Sequence, residues 1–135
     1  MDVQQQQHYA NKLAYEIDAW DLQAALAAGD KLVVIDARAP AAFAAGHIPG
    51  AVNLPHRQMD AASTAGFDRE AVVVTYCDGI GCNASTKGAL AMTRLGFRVK
   101  ELMGGLDWWR RDGYPVAVAD SAAPDAGAAA GCGCD

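Results

Sequence analysis

An α/β fold built on a parallel sheet is predicted by three observations. Two apolar runs, "KLVVIDAR" and "REAVVVTYC", are continuous and bounded by charge, the pattern of strands covered on both faces. Residues of helical spacing follow the second run, from Ala84 through Gly88, Ala91 and Met92 to Leu95, with Lys87 and Arg94 on the opposite side, and a capped helix precedes the first. Strand and helix patterns therefore alternate along the chain, as in α/β domains.

Taken in order, the residues before Leu13 read as a polar, flexible leader, residues 1–12. "AYEIDAWDLQAALAAG" reads as a short strand and a capped helix, with Asp18 as N-cap, Asp21 in the first turn, Leu22, Ala25 and Leu26 on one face, and Gly29 at its close. The first long run follows and ends on Asp36. "AVNLP" is a shorter run, and the second long run ends on Cys77. Gly96 stops the next helix, "FRVKEL" makes another strand, "GGLDWWRRDG" turns into a short helix, and "YPVAV" leads out. Beyond Val118 the composition collapses to Ala, Gly and Asp, too few large apolar residues to offset the entropy of ordering, so residues 119–135 read as a disordered tail ending in Cys132-Gly133-Cys134. One domain, residues 13–118, is expected.

Composition narrows the function. The chain has 135 residues, 52% of them hydrophobic, enough for one core. A formal charge of -5 without a basic run argues against nucleic acid. The start, "MDVQQQQHYANK", has neither the basic end nor the apolar core of a signal peptide, and no run is long enough to span a bilayer, so a cytoplasmic protein without membrane association is expected. In that compartment the 4 cysteines are expected as thiols.

Cys77 is the residue with the most chemistry in prospect. In open parallel sheets, reactive groups gather where strands end and loops meet helix N-termini. A cysteine there can be merely a small buried residue. Here two glycines and a string of helix-capping residues follow it directly, which favours a nucleophile. Gly79 and Gly81 tolerate the positive φ of an anion-binding nest, and a helix beginning near Asn83 to Ser85 adds its positive end. Both would lower the thiol pKa and hold an anion over the sulfur.

"VVIDARAPAAFAAGHIPGAVNLP" and "LGFRVKELMGGLDWW" resemble the two signatures of the rhodanese homology domain, with the cysteine between them in the right order, across roughly Ala14 to Val116. The resemblance implies a small doubly wound parallel sheet flanked by helices. It also implies sulfur transfer without a cofactor or metal: a small donor such as thiosulfate loads Cys77 as a persulfide, and a thiol, cyanide or an acceptor protein takes the sulfur. The loop of Asp78, Gly79, Ile80, Gly81, Cys82, Asn83, Ala84 and Ser85 would bind the persulfide and donor through its amides. Asp36, Arg38 and His47 would support the site, the first two as a brace and the third as a hydrogen-bonded turn histidine.

The loop departs from the family pattern. Counted back from Leu95-Gly96-Phe97, it is about two residues longer than in common sulfurtransferase members, which implies a wider pocket. It carries no basic residue, and Asp78 beside the nucleophile repels an anionic donor. Positions 78–86 hold no arginine, against the clamp that phosphatases and arsenate reductases need. A non-catalytic thiol-sensing or binding module of the same fold remains the alternative.

The remaining residues stay open. Cys82 either resolves an oxidised or persulfidated Cys77 into a disulfide or packs at the helix start. The Cys132/Cys134 tail is a tethered sulfur acceptor, a soft-metal pair or inert, with no Cys/His pair spaced to complete a metal site. Trp109 is expected in the core, Trp108 beside the pocket or on the surface. His8 lies in the loose leader, and His56 follows Pro55.

Overall fold

In the computed structural model, residues 2–119 are described; the tail with Cys132 and Cys134 lies outside them. Five strands form one sheet: β1 (Glu16–Ile17), β2 (Leu32–Asp36), β3 (Val52–Asn53), β4 (Val72–Tyr76) and β5 (Arg98–Leu102). Their spatial order is β1-β5-β4-β2-β3 and every pair is parallel. The continuous apolar runs predict this arrangement, since a strand covered on both faces has no reason to alternate. The two longest runs, β2 and β4, lie side by side with Val33 opposite Val73 and Val34 opposite Val74.

Helices cover both faces: α2 (Ala19–Ala27), α3 (Pro40–Ala45) and α4 (Ala84–Arg94) return the chain between strands, and α5 (Gly105–Arg111) follows the last of them. The alternation of β4 divides the core. Val74 and Tyr76 join Leu22, Ile48, Leu106 and Trp109 on one side, while Val73 joins Ile35, Met92 and Phe97 on the other. Trp109 is buried, its indole Nε1 donating to the Pro115 carbonyl at 2.8 Å, whereas Trp108 is half-exposed. Asp18 caps α2 through the Asp21 amide at 2.8 Å, as its side chain predicts.

The start of the chain differs from the flexible leader expected there. Val3–Tyr15 form a helix, α1, capped by Asp2, whose carboxylate accepts from the Gln5 amide at 3.0 Å. Gln7 to Asn11 and Lys12 to Glu16 add pairs one turn apart. None of its residues is buried, so it has no apolar stripe to announce it. Removing residues 2–12 is therefore expected to change the free energy of unfolding by no more than about 0.5 kcal/mol, measurable by urea titration. A large loss would show that α1 supports the sheet edge. No helix among the described residues is long and apolar enough to cross a membrane.

Candidate active site

The sheet delivers Cys77 directly after β4, its central strand, and the chain then loops to the head of α4. Cys77 is buried against Ala37 and Ala84, which fixes the floor of the site. Asn83 occupies the N-cap position of α4 without a side-chain bond to the helix.

The two loop cysteines are joined. Cys77 and Cys82, expected as thiols, form a disulfide across a separation of 5 residues with their Cα atoms 6.4 Å apart, inside the range a disulfide spans. A short loop with two glycines closes at small entropic cost, and the Cys82 amide donates to the Gly79 carbonyl at 3.3 Å to shape the turn. Neither Gly79 nor Gly81 takes a positive φ, so the nest expected of them is not how this loop is built.

The glycines that do need their freedom lie in the neighbouring loop. Gly104 and Gly105 stand at φ +78° and +57°, and a Cβ on Gly105 would overlap the Cys77 carbonyl oxygen. This close approach lets the Leu106 amide donate to the Cys77 carbonyl at 2.9 Å and the Asp107 amide to the Asp78 carbonyl at 2.8 Å. The first turn of α5 thus pins the backbone of Cys77 and Asp78. On the other side, the Thr75 hydroxyl donates to the Ser85 carbonyl at 3.0 Å. The Ser85 and Thr86 hydroxyls both donate to Glu101 Oε2, at 2.7 and 2.6 Å, so the Ser85 side chain turns towards β5.

Asp36 and Arg38 form a buried ion pair. Arg38 Nη2 lies 2.7 Å from Asp36 Oδ2, and Arg38 Nε also donates to the carboxylate; both residues are buried. A further Arg38 bond reaches the Gly46 carbonyl. Burial works against the guanidinium charge, but the hydrogen bonds and charge of Asp36 outweigh it and hold the Arg38 pKa above its ordinary value. His47 follows Gly46 as a structural turn residue. Its Nδ1 donates to the Phe43 carbonyl at 2.7 Å, its ring stacks on Phe43, and its backbone bridges to Ala117.

One link could not be read from the loop alone. Arg38 Nη1 stands 3.5 Å from Asp78 Oδ1, so the carboxylate beside Cys77, expected to repel an anionic donor, has a cation at hand. Arg38 and Asp78 line a cleft with Gly46, Leu106, Asp107 and Arg110. Arg110, Asp107 and Glu101 were not singled out in the sequence. Their signal was the later "KELMGGLDWWRR" segment, whose closeness to the loop depends on the crossing of β5 and α5 beside β4. Ile80 is exposed at the loop's tip, and His56 sits in the short 3-10 turn His56–Gln58.

Residues 18–112 match the rhodanese-like domain. The chain belongs to that family. Among its rhodanese-like relatives, the "Sulfurtransferase" of Allochromatium vinosum is 36% identical over 104 residues, which cover 76% of this chain and 94% of that protein. The thiosulfate sulfurtransferase GlpE of Pseudomonas putida is 39% identical over 89 residues, covering 64% and 76%. The HTH-type transcriptional regulator Rv0324 of Mycobacterium tuberculosis is 34% identical over 95 residues, 70% of this chain; the matched part is 40% of that regulator's length. The crystal structure of Bacillus halodurans BH2092 superposes with a TM-score of 0.81 at 38% identity, covering 85% of each chain. Its likeness matches the five-stranded parallel sheet flanked by helices.

Proposed function

We propose that this rhodanese-like domain is a sulfurtransferase that moves sulfane sulfur from a donor such as thiosulfate to a thiol, cyanide or protein acceptor through a persulfide on Cys77. The observation that carries this reading is the position of Cys77: a buried sulfur at the C-terminal end of the central strand, with its backbone held by α5 and the head of α4 in front of it. In the reduced protein the Cys77 thiolate attacks the sulfane sulfur of thiosulfate, and sulfite leaves with the electrons of the broken S–S bond. An acceptor nucleophile then takes the outer sulfur and restores the thiolate. The Asp78–Ser85 amides are the binding loop in this scheme, and Asp36, Arg38 and His47 support it from the neighbouring strand and turn. The likeness to the thiosulfate sulfurtransferase GlpE of Pseudomonas putida favours thiosulfate, and Arg38 beside Asp78 offsets the repulsion such a dianion meets. We place the protein in the cytoplasm, where a reducing thiol pool keeps the Cys77–Cys82 pair open.

The disulfide favours a second reading, a thiol-sensing module whose output is the state of that pair. Intact-protein mass spectrometry separates the two. After reduction and incubation with thiosulfate, the enzyme is expected to release sulfite and to react once per chain, whereas Cys77→Ser should release no sulfite. Sulfite release that is equal in wild type and Cys77→Ser would sink the assignment of Cys77.

A further inference from the structure

The Cys77–Cys82 pair does more in this loop than a single nucleophile can. A sulfurtransferase of one cysteine must wait for an external acceptor, but here a second sulfur already reaches the first within the same turn. We propose that Cys82 is a resolving residue: it attacks the inner sulfur of a Cys77 persulfide, expels the outer sulfur as sulfide, and leaves the disulfide seen in the structure. The step rests on the Cys77 persulfide reading and adds an outcome to it, sulfide release in place of transfer.

The chemistry balances. The Cys82 thiol gives its proton to solvent, and its thiolate forms the Sγ–Sγ bond as the bond from Cys77 Sγ to the outer sulfur breaks. The outer sulfur leaves as HS⁻, keeping the persulfide proton. The outer sulfur takes both electrons of the broken S–S bond, and the Cys82 thiolate supplies the pair that forms the new one, so Cys77 Sγ stays at the disulfide level throughout. A dithiol reductant then opens the disulfide through a mixed disulfide and regenerates both thiols.

The structure gives each partner a suitable place. Cys77 is buried and its carbonyl is tied to the Leu106 amide, so the inner sulfur is held still. Cys82 is partly buried on the loop's far limb, with Gly81 before it and open space where a Gly81 Cβ would stand. The more exposed sulfur is the one an external dithiol meets first, which makes Cys77 the leaving thiolate and returns it ready for the next donor. Closing a loop of this length brings the two thiols to a high effective concentration, against which a dilute external acceptor competes poorly.

The test uses the full chain with Cys132→Ser and Cys134→Ser in every arm, so that only the loop thiols can respond. Reduced protein freed of reductant receives one equivalent of thiosulfate or of inorganic polysulfide, and the intact mass, sulfite and sulfide are followed. The Cys82-containing protein is expected to lose two hydrogens, carry no added sulfur and release one sulfide. Cys82→Ser is expected to hold the added sulfur as a cyanide-labile persulfide and to release sulfide more slowly by roughly tenfold or more. If both proteins hold the sulfur equally and neither releases sulfide, Cys82 does not resolve the persulfide, while the persulfide itself stands. If neither donor adds sulfur to Cys82→Ser, the persulfide reading fails and the resolving step fails with it.

Discussion

Gly105→Ala is expected to cut sulfur transfer about a hundredfold or more while leaving a folded domain. The new Cβ would overlap the Cys77 carbonyl and lie 2.9 Å from both the Asp78 carbonyl carbon and the Gly79 amide nitrogen. All three neighbours are backbone, so no side chain can swing aside. Alanine at φ +57° adds strain of about 1–2 kcal/mol. The segment that yields most easily is the loop itself, which lacks the ladder bonds of β4. Displacing it moves the sulfur relative to the amides meant to hold the donor. Cyanide-coupled turnover and thermal unfolding measured together would check this. Turnover equal to wild type would show that the close approach of α5 to the loop has no part in positioning Cys77.

Asp36→Ala should be the most destabilising single change at the site, by about 3–5 kcal/mol. It leaves the buried Arg38 guanidinium with only the half-exposed Asp78 carboxylate, 3.5 Å away, as counter-charge, and removes a partner of the Tyr76 hydroxyl, which also accepts the Ile48 amide at 3.0 Å. Burial and the adjacent Asp36 carboxylate both push the Tyr76 phenol pKa up, so that hydroxyl stays a neutral donor and cannot take the place of the lost charge. A fall in Tm on the order of 15 °C follows. The double variant Asp36→Ala with Arg38→Met should recover part of the loss, since it removes the stranded charge too. Losses that simply add in the double variant would mean that the ion pair is not the cause.

The central strands were legible because their signal is local. Val33, Val34, Val73 and Val74 sit in runs that can be satisfied only by cover on both sides, and Asp18 and Gly29 mark the ends of α2 by their own side-chain and backbone chemistry. Cys77 was legible for the same reason, since a strand end followed by glycines and caps is written in consecutive residues. The rest depends on distance in space. Helix α1 buries nothing, so apolar periodicity is silent about it and only Asp2 and the one-turn pairs hint at it. The Cys77–Cys82 bond needs a Cα separation that no spacing rule supplies. Gly79 and Gly81 carried the expectation of an unusual backbone, yet Gly104 and Gly105 bear it, because the demand comes from the approach of another segment. Arg38 meeting Asp78 is of this kind too, joining the ends of β2 and β4.

The strand order also sets a timetable. β1 pairs only with β5, Glu16 opposite Glu101 and Ile17 opposite Leu102. On the ribosome, β1 emerges early and its hydrogen-bonding edge must wait for β5, an interval on the order of ten seconds at ordinary rates of synthesis. Cys77 and Cys82 are made within that interval, before the glycines that brace their loop. Only four residues separate the two cysteines, so both sulfurs leave the ribosome almost together. The segment that pins the backbone of Cys77 and Asp78 is thus the last part of the site to be synthesised.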